Sequence, residues 1–198
     1  MKTKGLPNDY RPSIEEIEHF LSAWEQTPRF SNPQKALDKL FQETYKKNDC
    51  LEEVLIKCSA LNNLYSTSIF DIHSMAMHIC GLKIDEKLRH ADYSLIKEIA
   101  SLEIKGKKRY FYSFASKYCS HHLPDMYAIY DNYVEKVLVS INLLNKENHF
   151  ADFSKVGLRN YNIFMSVLQS FCIKFGLTNY SIREIDHYLW QLGKKYYS

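Results

Sequence analysis

The chain has 198 residues, 45% of them hydrophobic and 25% charged, with a formal net charge of +3. These are ordinary values for a globular protein, long enough for one sizeable domain or two small lobes sharing a core; the mild charge names no partner by itself. Five scattered cysteines, with no CxxC, argue against a disulfide framework, a zinc site or a four-cysteine iron–sulfur cluster. The N-terminus "MKTKGLPNDYRPS" lacks the apolar core of a signal peptide and no run approaches membrane-spanning length, so a cytoplasmic protein with no membrane association is expected.

Helical periodicity dominates, without a convincing alternating strand. Ser13 and Glu16 form a capping box that opens a first helix with an apolar face of Ile17, Phe20, Leu21 and Trp24. Asn32 and Pro33 read as cap and first residue of a second, through Leu37, Leu40, Phe41 and Tyr45. A third spans 51–61. "STSIFDIHSMAMHIC" reads as a fourth, apolar on most sides and ended by Gly81. Asp92 caps a fifth, and a tight turn at Gly106 leads into a sixth, broken by Pro124. A seventh runs from Tyr130 to Leu144, followed by the polar loop "NKENHFADFSK". An eighth spans 158–175 and stops at Gly176; Ser181 and Glu184 box the start of the last. The expected class is all-α with about nine helices.

Two stretches carry candidate chemistry. Lys105, Lys107, Lys108 and Arg109 surround Gly106, with Lys117 further on. Such a run is either a solvated helix end or a site for an anionic partner. In "PDMYAIYDNYVEKVL" a proline-broken loop leads to Asp131 at the mouth of a helix. An aspartate there caps free backbone N–H groups and faces the positive end of the helix dipole.

The order of turn, helix, proline loop and aspartate resembles the helix–hairpin–helix DNA glycosylase superfamily, and within it the 8-oxoguanine-glycosylase-like branch. "YAIYDNYVEKVL" is similar to the family's loop-to-helix segment, with Asp131 on its catalytic aspartate, and the resemblance covers about residues 55–140. It implies a two-lobed fold. One lobe is 13–48 with 157–198; the other is 50–145, containing the hairpin 102–110 and the Asp131 helix. It also implies duplex-DNA binding and hydrolysis of a base–sugar bond. Asp131 would stabilise the oxocarbenium-like sugar, and Lys105, Gly106, Lys107, Lys108 and Arg109 would clamp phosphates. "IKCSALNNLYSTSI" resembles the family segment that fills the gap left by a flipped base, which places Asn62 and Asn63 there, with Tyr65 an equal candidate. The plainer reading makes the asparagines a break between two helices.

The chain also departs from the family. The hairpin keeps one glycine, Lys108 standing in place of the second. Tyr110 or Phe111 occupies the position of the family's lysine nucleophile, so a monofunctional, water-using enzyme without lyase activity is expected. The alternative is an inactive member that serves as a nucleic-acid-binding or protein-interaction module. Lys117 has three readings: a surface lysine, a phosphate contact, or a displaced active-site cation near Asp131. Tyr127, Tyr130 and Tyr133 either line a base pocket or pack the core. His121, His122 and Cys119 complete no metal motif, and no metal or cofactor is expected.

Overall fold

The computed structural model describes residues 5–144 and 149–198; 145–148 of the expected polar loop lie outside them. The fold is all-α, with ten α-helices and one two-stranded sheet among the described residues. The chain divides into two compact units: Met1–Pro28 with Tyr130–Ser198, and Arg29–Ile129. The division differs from the lobes expected from the sequence. The second predicted helix falls with the central segment, and the Asp131 helix falls with the terminal ones.

The unit built from both ends of the chain contains α1 (Ile14–Glu25), α8 (Asn132–Leu144), α9 (Tyr161–Phe175) and α10 (Ile182–Tyr197). Its helix starts follow the local signals. The Ser13 hydroxyl accepts from the Glu16 N–H, and Ser181 and Glu184 cap each other reciprocally. Gly176 ends α9 at φ +71°, a left-handed conformation that glycine takes without steric cost. The last helix packs on α8 and α1. Gly193 makes the closest approach: a Cβ there would lie 2.5 Å from the Tyr133 Cβ.

The central unit holds α2 (Pro28–Asp38) from Arg29 onward, α3 (Leu51–Tyr65), α4 (Ile72–Leu82), α5 (Asp85–Arg89), α6 (Ser94–Ala100) and α7 (Tyr112–His122). Pro28, not Pro33, supplies the helix start, and Pro33 lies inside α2. A π-helical stretch, Lys39–Thr44, follows. The asparagines expected at a helix break lie instead in the last turns of α3, which ends at Ser66. The fourth helix begins six residues later than its apolar run implied, because the Asp71 carboxylate caps it by accepting from Ser74 N. It also runs through Gly81 to a left-handed cap at Lys83.

The largest correction concerns the turn at Gly106. Residues expected to start a helix form an antiparallel β-ribbon, β1 (Ser101–Ile104) and β2 (Lys107–Tyr110). Lys105 and Gly106 both take positive φ, +49° and +73°, which is the geometry of a two-residue type I′ hairpin. Among the described residues, no helix N-terminus therefore presents its amides at 105–109.

Candidate functional site

The β-ribbon is the most strongly cationic feature of the central unit. Lys105, Lys107, Lys108 and Arg109 are all exposed, and among the described residues none enters an ion pair. Glu103 faces Lys108 across the ladder, so the ribbon carries opposite charges at one rung only. Leu102 is buried and anchors the strand, while the whole of β2 is exposed. Tyr110 stacks on Tyr112 at the ribbon's base, their rings 5.8 Å apart and 8° from parallel.

Asp131 caps α8. Its Oδ1 accepts from the backbone N–H groups of Tyr133 (2.8 Å) and Val134 (2.9 Å). Two donors on one oxygen fix the carboxylate, and among the described residues the second oxygen, Oδ2, accepts no hydrogen bond. Asp131 belongs to the terminal unit, and the ribbon, Asn62, Asn63, Tyr65 and Lys117 to the central one.

Lys117 is not a surface lysine. It is 4% exposed on α7, a helix with ten of its eleven residues buried, so the contact to a phosphate expected of it is not available at the surface. Its ammonium donates to the Ser113 hydroxyl and sits 5.3 Å from the centre of the Tyr65 ring. Tyr65 is itself engaged: its hydroxyl pairs with His121 Nε2 at 3.0 Å, and His121 Nδ1 meets Asp38 Oδ1 at 2.9 Å. The two ring nitrogens of His121 thus link the phenol to the carboxylate. Of the three residues expected to fill a base gap, only Asn63 is exposed. Asn62 has a different task. Its Oδ1 accepts from the Thr67 hydroxyl and the Ile69 N–H, and its Nδ2 donates to the Ile69 carbonyl, which ties down the loop 66–71.

Two of the three tyrosines, Tyr127 and Tyr130, are buried, and Tyr133 is half-buried. Tyr127 is fully buried against Tyr93, and its hydroxyl donates to the Leu88 carbonyl. Tyr130, buried in the other unit, donates to Glu135 and packs edge-on to Phe164. Tyr133 meets Trp190 edge-on.

One buried polar cluster had no local signal in the sequence. Lys57 is completely buried, and its ammonium donates to the carbonyls of Tyr45 (3.1 Å) and Lys47 (2.7 Å) and to Asn48 Oδ1 (2.6 Å). The same oxygen accepts from the Tyr118 hydroxyl, and His122 Nε2 lies 3.3 Å from the ammonium. Asn48 in turn donates twice to Asp85. Burial pulls the Lys57 pKa down to about 8, and burial together with the neighbouring ammonium keeps His122 well below the ordinary imidazole range. Among the described residues no group of three or more His, Cys, Asp or Glu can hold a metal ion, and no helix is long and apolar enough to cross a membrane.

The family profile HI_0787_N, described as an N-terminal domain, matches residues 16–126, more than half of the chain. The chain belongs to the HI_0787_N family. The HI_0787_N match takes in the ribbon, the Asn62 loop and the Lys57 cluster, and stops short of Asp131. A Haemophilus influenzae (strain KW20 / Rd) protein described as "Uncharacterized protein" is 44% identical over 146 residues, covering 73% of this chain and 68% of that protein. No solved structure matches this HI_0787_N chain.

Proposed function

We propose that this protein binds DNA, the β-ribbon of residues 101–110 gripping the phosphate backbone. The observation that carries this reading is the exposure of four cations on one short ribbon with no ion-pair partner among the described residues. Uncompensated surface cations release counterions from a phosphate backbone when they bind it, so affinity falls steeply with salt. A ribbon of two strands is also narrow enough to enter a DNA groove. Replacing Lys105, Lys107, Lys108 and Arg109 with glutamine is expected to weaken binding to a short duplex and to lower the salt slope by about one for each phosphate contact removed. Salt-independent binding by the wild type, or an unchanged slope in the variant, would refute the ribbon's role.

A second reading adds chemistry: hydrolysis of a base–sugar bond, with Asp131 as the electrostatic catalyst. It is supported by the resemblance of "YAIYDNYVEKVL" to the glycosylase segment and by the carboxylate's division of labour, one oxygen capping and the other without a hydrogen bond among the described residues. Cleavage of such a bond leaves positive charge on the sugar, which a fixed carboxylate stabilises better than mobile water does. Asp131→Asn separates the two tasks, because asparagine caps helices about as well as aspartate. Stability should change by less than about 0.5 kcal/mol, while excision falls at least about a hundredfold. Duplexes carrying uracil, alkylated or oxidised bases, or glucosylated cytosine would be incubated with each protein, and abasic sites revealed with hot alkali. Equal excision by both proteins removes Asp131 from the chemistry, and strand breaks before alkali would show an amine nucleophile. Binding without excision by either leaves an inactive nucleic-acid-binding module.

A further inference from the structure

Phe70 is 99% exposed, the most exposed large apolar side chain among the described residues. It does not sit on a loose loop. On one side Ile69 is 3% exposed, and its N–H and carbonyl are both held by the Asn62 amide. On the other, Asp71 accepts from the Ser74 N–H at 3.0 Å and from the Ser74 hydroxyl at 2.8 Å. Ser66 and Ser68 take left-handed backbone conformations, φ +51° and +60°, which serine adopts at a steric cost. The hydrogen bonds of Asn62 hold that strained path in place. Its outcome is an aromatic ring fixed at the backbone and turned into solvent, where burial of its apolar surface contributes nothing to folding.

The surroundings identify what such a ring meets. The helix that follows Phe70, α4, packs against β1 of the cationic ribbon. Lys105, at the ribbon's turn, is near enough for its charge to be felt at Asp71, the residue after Phe70. An exposed aromatic face beside phosphate-binding cations is the pairing by which proteins hold nucleic-acid strands, the cations following the backbone and the ring stacking on a base.

We propose that Phe70 is a base-stacking residue, which lies against the face of a base that has lost its stacking neighbour while the adjacent ribbon holds the phosphates. This rests on the nucleic-acid reading above and adds its ligand: an unstacked base, in a single strand or beside an opened site in a duplex. The ring needs no sequence-specific hydrogen bond for this, because every base has a π-face. Pinning on both sides means little ordering is left to be done on binding.

The test uses wild type, Phe70→Ala and Phe70→Trp with three fluorescently labelled probes: an intact duplex, the same duplex with one abasic site, and one of its strands alone. Anisotropy titrations at several salt concentrations give affinity and slope. Phe70→Ala is expected to lose about five- to hundredfold in affinity for an unstacked probe, with intact-duplex binding and all salt slopes unchanged. Loss on the abasic duplex places the base at an opened site, and loss on the single strand places it there. Phe70→Trp should retain affinity, and its added fluorescence should be quenched on binding. Wild-type affinity of Phe70→Ala for all three probes overturns the proposal while the ribbon variant still tests the nucleic-acid reading separately. An equal loss on all three also overturns it, since that is a backbone contact. Failure of the wild type to bind any probe removes both readings together.

Discussion

Asn48→Ala is expected to destabilise the protein by about 3 kcal/mol, seen as a lower denaturant midpoint with an unchanged slope. Asn48 is 1% exposed, and its side chain satisfies two buried groups, the Lys57 ammonium and the Tyr118 hydroxyl, and also donates to the half-buried Asp85 carboxylate. Alanine leaves the ammonium short of a partner in a site that water does not reach, which costs far more than the removed hydrogen bonds are worth net. Lys57→Met would be a poorer test. It also deprives the carbonyls of Tyr45 and Lys47 of their donor, but it removes the burial penalty of the charge, and the two effects oppose each other.

The same cluster gives stability a pH dependence of defined sign. The unfolded chain protonates His122 near the ordinary imidazole value of about 6.5, whereas the folded one does so only well below it, because the ring is buried beside Lys57 and His121. The unfolded state therefore binds more protons as pH falls, so the His122 contribution to stability is complete above about 6.5 and lost below it. Lys57 acts in the same direction at higher pH. Burial lowers it from 10.5 to about 8, against the weaker opposing pull of Asp85 and Glu53, so stability rises between those values. Denaturant midpoints should climb from pH 5 to about 8; above about 9 the buried Cys58, Cys119 and Cys172 thiols, whose pKa burial raises, pull against Lys57. A midpoint that is flat from pH 5 to 7 would show that His122 titrates normally in the fold.

Gly193→Ala should cost about 3 kcal/mol in the terminal unit. The new methyl would lie 2.5 Å from the Tyr133 Cβ and 3.0 Å from its Cα and carbonyl carbon. These are atoms close to or within the backbone of α8, so no rotamer change relieves the contact, and the two helices must move apart. Tyr133→Ala should fail to rescue the variant, because it keeps the clashing atoms. Rescue would mean that the phenol ring, not helix separation, carries the cost. Thermal unfolding of the single and double variants decides it.

Those residues show which parts of the molecule the sequence discloses. Ser13, Ser181 and Gly176 mark helix ends through contacts within a few residues, and the chain displays them openly. The β-ribbon escapes because its outer strand, "KKRY", is exposed throughout and so has no alternation to read. Phe70 is misplaced for the opposite reason. It stands in a run of apolar residues that looks like helix core, and the cap at Asp71 with Ser74 is the one local sign that the helix starts later. Asp131 is legible as a cap, since its donors lie two and three residues on. The Lys57 cluster has no such handle. Asn48 lies 37 residues from Asp85, 70 from Tyr118 and 74 from His122, and only folding brings these types together.

The order of the two units along the chain also bears on synthesis. The segment 29–129 is continuous, and the two parts of the other unit come from either side of it in the sequence. A ribosome releases α2 through α7 before α8 is made, so the ribbon-bearing unit can close while its host still lacks three of its four helices. Left unfolded, that inner segment would be a loop of about a hundred residues to be closed when α1 meets α10, and folding it first removes most of that chain freedom beforehand. Damage to Asn48 would then be felt twice, once in the unit that contains it and again in the assembly of a unit it never touches in sequence.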